Sequence, residues 1–484
     1  MAAAQSSAST PATASRRWGD FDFLLELKPR ADLANLFVDC PTNSKWSGNE
    51  LVKVTENGIV VGAGDELKED IRRGEDADGT QPFRAAVLDD VSLYPGSVCG
   101  IGWADGDRLL TCKVRAQLSD TVLGSKTSAQ IARDVRAQGQ SLDDVCQRLT
   151  SFLGPSSGLR LSCADCAREL LVPGRVRKCH ALACDDWSDV CSSTSALQFF
   201  CHGGQESEEE GGAAASGARR RSSSPSPTLC LVADSYVLFH HSVLAGVVSR
   251  DDSDALYCAH CELELGRSAP TGRHGTSGAS RRGACQLYHY CVRIPLEAQN
   301  PLVDEEPSSE SATPAVAAPR FLGLLTHRFF TPSRYFAWLL LSKCESHTSL
   351  KFVVRSFDRN SHLLLWLLDS YAVLVRGRLL APSSGQGQQK ASSRRSAASA
   401  ASPSATTSYH SFSAVKMLYK VFDKTSAAED PRANGADASV TTVEQPAGAC
   451  RELARILLDS TQSLPPACRS VGQFYVGFLN LNPS

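Results

Sequence analysis

The chain has 484 residues, 42% of them hydrophobic and 21% charged, with 50 Lys and Arg against 52 Asp and Glu. That length allows two or three domains. A formal net charge of −2 lacks the basic footprint of a nucleic-acid-binding protein, and apolar runs such as Leu363–Leu368 are far shorter than the ~18 residues of a membrane helix.

In chain order, Met1–Arg17 is rich in Ala, Ser and Thr and has no acidic residue. It reads as a disordered tail (1–17), with an organellar transit peptide as the alternative. Short β-type runs follow at Asp20–Leu27, Glu50–Val54, Gly58–Val61, Phe83–Leu88, Ser97–Trp103 and Arg108–Val114, separated by Gly, Pro, Asp and Asn. Regular short strands of this kind predict a β-sandwich or barrel-like N-terminal domain over 18–155. Within it, Ala129–Leu153 has helical spacing, with Ile131, Val135, Leu142, Val145 and Leu149.

Two Cys-x-x-Cys pairs mark a middle region, 156–300: Cys163/Cys166 and Cys258/Cys261. Each reads as half of a tetrahedral zinc site, because two thiolates separated by two residues can face one ion at about 2.3 Å. A redox dithiol normally opens a helix in a βαβ unit, which this sequence does not suggest. No charged segment leading into an apolar one points to secretion, and in a reducing compartment paired cysteines serve as metal ligands more often than as disulfides. A closed, structural zinc site of four cysteines is therefore expected, tying together segments more than ninety residues apart. Buried unpaired thiols are the plain alternative.

Five stretches are low in complexity: Gly203–Pro227, Ser268–Gly283, Asp304–Ala318, Ala381–Ser408 and Ser426–Ala449. Most of them read as solvated, disordered insertions, too poor in apolar residues to offset ordering entropy. The last part, 320–484, mixes helix and strand. Thr331-Pro332 is an N-cap followed by Pro at the first helical position, opening a helix over Ser333–Lys343. Strands are expected at Leu350–Phe357, His362–Leu368, Tyr371–Val375, Ser413–Phe422 and Gln473–Leu481, and a helix at Cys450–Ser460. The fold class is α+β and β-rich.

Several segments together resemble one family. Leu363-Leu-Leu-Trp-Leu-Leu-Asp-Ser370 is similar to the Leu-Leu-Trp-Leu-Leu-Asn-Ser segment of the HECT-like ubiquitin ligases that bind a ubiquitin-conjugating enzyme. Phe412-Ser-Ala-Val-Lys-Met-Leu-Tyr419 resembles their Trp-Ser-Ala-Val-Lys-Val-Leu-Tyr. The end, Ser463-Leu-Pro-Pro followed by Phe474-Tyr-Val-Gly-Phe-Leu479, resembles their terminus. Cys230-Leu-Val-Ala-Asp-Ser-Tyr236 and both Cys pairs fall in the family's order.

This resemblance implies a ubiquitin-protein ligase with a C-terminal HECT-like region and a structural zinc. Its partners would be a conjugating enzyme, ubiquitin and protein substrates, cyclins among them, which would be sent to the proteasome. Its expected location is cytoplasmic and nuclear, with no membrane or direct nucleic-acid partner.

The resemblance also implies three sites. The family's Leu-Pro-x-Ala-Thr-Cys run, which echoes the thioester motif of true HECT enzymes, matches Gln445-Pro-Ala-Gly-Ala-Cys450. Pro446 and Cys450 match in place, while Gln445 and Ala449 depart from the pattern. A cysteine at a helix N-terminus suits thioester chemistry because the helix dipole favours its thiolate. A buried first-turn cysteine is the plain reading, and Cys468 is a second candidate acceptor. The conjugating-enzyme segment corresponds to Arg328–Cys344, with Tyr335, Phe336, Trp338 and Leu339 as anchors or, equally, as core. Finally, Trp187, Cys201 and His202 match a family peptide implicated in plugging the two-metal site of the pre-mRNA 3′-end cleavage endonuclease, with Phe199 in place of its second Trp, Ser192–Ala196 as an insertion and Gly203 in place of its Pro; Cys201 and His202 joining the chain's own zinc site, or being buried, is the plain reading. A non-enzymatic inhibitor or assembly factor for that endonuclease is therefore the alternative function.

Overall fold

A computed structural model describes residues 17–40, 51–62, 84–105, 108–118, 146, 149–150, 158–182, 226–250, 254–269, 283–295, 321–323, 331–379 and 409–481. The chain divides into two units that interleave in sequence. The first comprises 1–133, 365–420 and 455–482; the second comprises 134–364, 421–454 and 483–484.

The N-terminal strands are β1 (Phe23–Lys28), β2 (Leu33–Asp39), β3 (Leu51–Thr55), β4 (Gly58–Gly62), β5 (Arg84–Val87), β6 (Val91–Ala104) and β7 (Leu109–Leu118). The middle of the chain adds β8 (Ser162–Cys163), β9 (Lys178–Ala181), β10 (Leu229–Val232), β11 (Tyr236–His240), β12 (Val247–Ser249), β13 (Ala255–Cys258), β14 (Glu264–Ala269), β15 (Ala284–Tyr288), β16 (Val292–Pro295) and β17 (Phe321–Gly323). The C-terminal part holds α1 (Pro332–His347), β18 (Lys351–Ser356), β19 (His362–Gly377), β20 (Tyr409–Phe422), α2 (Lys424–Glu429), α3 (Pro431–Asn434), β21 (Thr441–Gln445), α4 (Ala447–Gln462), β22 (Ser470–Val471) and β23 (Phe474–Asn480). The protein is β-rich α+β, as expected. No helix among the described residues is long and apolar enough to cross a membrane.

In the first unit the strand order is β22-β23-β20-β19-β1-β2-β7-β6, and β3, β4 and β5 form a separate antiparallel sheet. β2 alternates intermediate and buried positions along its length, as a strand with one covered face does. β1 is buried at its first five consecutive positions, so both of its faces are covered, and it lies between two strands: Leu25 pairs with Leu36 on β2 and with Val375 on β19. N-terminal and C-terminal strands thus share one sheet, and the boundary expected after residue 155 does not separate them. Beside this core, Lys416 donates to both oxygens of Glu26, at 2.6 and 2.8 Å. That charge pair is tolerated inside because both carboxylate oxygens are satisfied. The Tyr419 hydroxyl lies 2.9 Å from the hydroxyl of Thr461, which donates to the Val476 carbonyl at 2.6 Å.

In the second unit a sheet runs β12-β13-β14-β15-β11-β10-β9, and a smaller one runs β17-β16-β8. All pairs in the larger sheet are antiparallel except β9–β10, which is parallel. Gly266 is required where β14 meets β15, because a Cβ there would collide with the Gln286 carbonyl. β18 and β21 pair in parallel, Phe352 with Thr441 through Ser356 with Gln445.

Two expectations change. His362–Leu368 and Tyr371–Val375 are one strand, β19, rather than two. Ser426–Ala449, expected as a solvated insertion, is ordered as the remainder of α2, then α3, β21 and the start of α4. Local capping and a few apolar anchors order it. Asp423 accepts from the Ser426 amide at 2.8 Å and Asp430 from the Arg432 amide at 3.0 Å, while Ala433, Val440 and Val443 are buried.

Candidate functional site

The four cysteines of the two Cys-x-x-Cys pairs converge in the second unit. Their sulfur atoms all lie within 4.8 Å of one another, with Cys163 to Cys261 and Cys166 to Cys258 each at 3.6 Å. Each pair sits on the same local turn. The amide of Ala167 donates to the Cys163 carbonyl at 3.1 Å, and that of Glu262 to the Cys258 carbonyl at 3.0 Å. Ala167 and Glu262 both take positive φ, at 60° and 59°, which bends the chain so that both sulfurs of a pair face one point.

Burial pushes the Cys163 thiol up to about 11 and raises Cys261 as well. Burial also opposes ionisation of Cys258, but the amides of Cys261 and His260 aimed at its sulfur overcome it and hold that thiol below its ordinary value. Four thiolates around one zinc ion at 2.3 Å would stand about 3.8 Å apart, so this donor set and spacing fit a closed tetrahedral centre. No fifth donor among the described residues joins the group. Cys291, paired into the same corner by the Ala164 amide donating to its carbonyl at 2.9 Å, is 2% exposed, and burial raises its thiol.

β14 follows the second turn directly and carries two side chains to the Cys450 segment. The Glu264 carboxylate accepts the Ala447 amide, at the N-terminus of α4, at 2.6 Å. Arg267 and Arg355 both bind the Glu444 carboxylate, Arg355 at 2.7 Å. Burial would raise Glu444, but the two guanidinium groups outweigh it and hold its carboxyl below the usual range. Glu264 is the reverse case: burial keeps its carboxyl above the usual range despite the Ala447 amide.

Cys450 lies in the first turn of α4, 3% exposed, its thiol 3.8 Å from the Gln445 carbonyl. Burial, followed by the carboxylates of Glu264 and Asp358, pushes this thiol up to about 12, with Arg451 pulling the other way. The helix dipole invoked from sequence is thus outweighed by the closed, acid-lined setting. Gln445, in the position where the family has Leu, is 1% exposed, and neither amide atom of its side chain has a hydrogen-bond partner among the described residues. The second candidate, Cys468, belongs to the first unit. It follows Pro466 in a short turn, and burial pushes its thiol up to about 11.

Helix α1 starts where expected: the Thr331 hydroxyl accepts from the Arg334 amide at 3.3 Å, and Pro332 occupies the first turn. Its expected anchors point inward. Tyr335, Phe336, Trp338 and Leu339 are 0, 1, 6 and 2% exposed. Phe336 stands 6.1 Å from the Tyr290 ring and Tyr335 stacks on Trp338 at 6.5 Å. The arrangement is core packing, so docking through these four side chains would require α1 to turn out of the unit.

Trp187, Phe199, Cys201 and His202 lie outside the described residues. The strands that flank their segment are β9 and β10, which pair directly and in parallel. Sheet pairing therefore holds the two ends of that segment together. Glu264 and Glu444 are the residues that sequence reasoning missed. The alternation Glu262-Leu-Glu264-Leu after the second pair carries no signal of what Glu264 touches.

An E3 ubiquitin-protein ligase of Pongo abelii is 26% identical over 174 residues, which cover 36% of this chain and 40% of that protein. The matched stretch is thus about two-fifths of the relative's length. No solved structure matches the chain. The model of the HECT-like ubiquitin-conjugating enzyme (E2)-binding family matches residues 26–476, nearly the whole chain, and the protein belongs to that family.

Proposed function

We propose that the protein is a ubiquitin ligase that binds a ubiquitin-conjugating enzyme and promotes ubiquitin transfer to substrate lysines. The observation that carries this reading is the family match across 26–476, supported by a relative named as a ubiquitin ligase. Both units of the chain contribute to the matched region.

The setting of Cys450 favours a particular route. A thiol 3% exposed and pushed up to about 12 is protonated at neutral pH and closed to an incoming thioester. In the favoured route the conjugating enzyme keeps its ubiquitin thioester, and the substrate lysine amine attacks that carbonyl directly, expelling the enzyme's thiolate. The ligase then works by positioning both reactants, which converts an encounter of two molecules into a reaction within one complex. The HECT-type route requires the turn Gln445–Cys450 to open first. Cys450 would then take ubiquitin from the conjugating enzyme as a thioester and pass it to the lysine.

Zinc in the four-cysteine centre would be structural. It would hold the two turns together and supply no catalytic water, since all four positions are filled by sulfur.

The test is a single-turnover reaction of purified protein with a conjugating enzyme charged with labelled ubiquitin. Faster discharge to lysine or substrate than with the conjugating enzyme alone supports the ligase reading, and no acceleration across a panel of conjugating enzymes refutes it. A ubiquitin adduct on this chain that thiol reagents remove, and that Cys450→Ala abolishes, assigns the HECT-type route instead.

A further inference from the structure

A second pair of sulfurs, not part of the four-cysteine group, lies in the same buried core. Cys179 on β9 and Cys230 on β10 are direct partners in the parallel ladder. The Cys230 thiol donates to the Cys179 sulfur at 3.0 Å, closer than either 3.6 Å contact in the metal centre. Both cysteines are reduced and buried, Cys179 at 7% and Cys230 at 0% exposure. Adjacent strands lie about 4.8 Å apart, inside the Cα window of roughly 4.4–6.8 Å that a disulfide accepts. Closing the bond therefore needs a sulfur movement of about 1 Å and no shift of register. The two residues are 51 positions apart in sequence, so a bond between them would tie off the whole stretch containing Trp187 and Cys201-His202.

We propose that Cys179 and Cys230 are an oxidisable pair that forms a disulfide across β9 and β10, covalently fastening the base of segment 183–225. The oxidant is a peroxide. Cys179, the more exposed residue of the two, attacks one peroxide oxygen through its sulfur. The O–O bond breaks, one water leaves, and Cys179 becomes a sulfenic acid. The Cys230 sulfur then attacks the Cys179 sulfur, the S–O bond breaks and a second water leaves. Overall two thiols lose two electrons and two protons to one hydrogen peroxide, giving one disulfide and two waters. Cys146 is the competing thiol: its charge acts on Cys230, and it belongs to the same buried cluster.

The test uses the full chain loaded with zinc and titrated with hydrogen peroxide. Remaining thiols are blocked with N-ethylmaleimide and the protein is digested without reduction. The expected result is a Cys179–Cys230 cross-linked peptide that rises with dose while zinc stays bound, and that disappears on reduction. In Cys230→Ala, Cys179 should instead be trapped as a sulfenic acid by dimedone. The oxidised wild-type chain should melt a few degrees above the reduced one, and Cys179→Ala should lose that difference. The proposal fails if both cysteines are recovered labelled with N-ethylmaleimide, if the cross-link joins Cys146, or if zinc is released before the cross-link forms. The wild-type peptide map decides the question even where a variant does not fold.

Discussion

The Glu264 carboxylate accepts the backbone N–H of Ala447 at 2.6 Å, so the strand that leaves the second cysteine turn caps the helix that carries Cys450. The contact satisfies a helix N-terminal amide that has no partner within the helix. It also sets a negative group beside the Cys450 thiol, which is why Glu264 follows burial among the causes of that thiol's elevation.

Replacing Glu264 by Gln keeps an oxygen for the Ala447 amide and removes the charge. The Cys450 thiol should then ionise at lower pH and react with iodoacetamide faster, by up to about tenfold, the effect of one pKa unit. Mass-spectrometric alkylation rates at pH 8 check this, and an unchanged rate would exclude Glu264 as the cause. The variant also has a pH signature. Glu264 titrates above its unfolded value because of burial, so its contribution to stability is present below that value and lost as pH rises through the folded one. The difference in urea midpoint between Glu264→Gln and wild type should therefore move in favour of the variant from pH 4 to pH 8.

Glu444 should show the opposite sign. Arg267 and Arg355 hold its carboxyl down against burial, so its contribution is present above the unfolded value and lost as pH falls through the folded one. Glu444→Gln should cost about 2 kcal/mol at pH 7, scaled down from a fully buried pair for partial exposure. Near pH 3 the cost should be smaller. Denaturant titrations at the two pH values measure this, and an equal cost at both would show that the ion pair contributes nothing.

One metal ion per chain should be present, and mutation of either cysteine pair should abolish it, because the four sulfurs surround a single point. Binding energy at a structural zinc site is on the order of 10 kcal/mol and is folding energy. Chelation should therefore remove native signal from the second unit. Elemental analysis of the wild type, Cys166→Ser and Cys258→Ser gives the count, and two ions per chain would rule out a shared centre.

Lys416→Met should destabilise the first unit by about 3 kcal/mol, because it leaves the Glu26 carboxylate, 5% exposed, without its partner. Adding Glu26→Gln should recover most of the loss. A double-mutant cycle measures the coupling, and additive costs would place the stabilisation elsewhere.

Much of the secondary structure was legible because it rests on local chemistry. The Thr331-Pro332 cap, the apolar face of α4 at Leu453 and Leu457, and β23 all stand within a few residues of expectation. Ser426–Ala449 was misread because its composition is that of a loop, while its order comes from two Asp caps and five buried apolar side chains, Ala427, Ala433, Val440, Val443 and Ala449, contributed one at a time. The convergence of the cysteine pairs was also legible, since Cys-x-x-Cys spacing is itself ligand geometry. The setting of Cys450 was not. A helix N-terminus suggested a reactive thiolate, and only the surrounding fold supplied the burial and the two carboxylates that reverse the sign.

By itself, then, the sequence determined the family, the β-rich class, the helix caps and the four-sulfur centre, because these depend on neighbours a few positions apart or on motifs that carry their own geometry. The tertiary structure alone decided that β1 is shared between N-terminal and C-terminal strands, that Glu264 reaches Ala447, and that Cys179 faces Cys230. These are pairings between residues from 51 to about 350 positions apart. Nothing in the local chemistry of either partner encodes such a pairing; it arises when strand register and close packing leave each side chain one place to go.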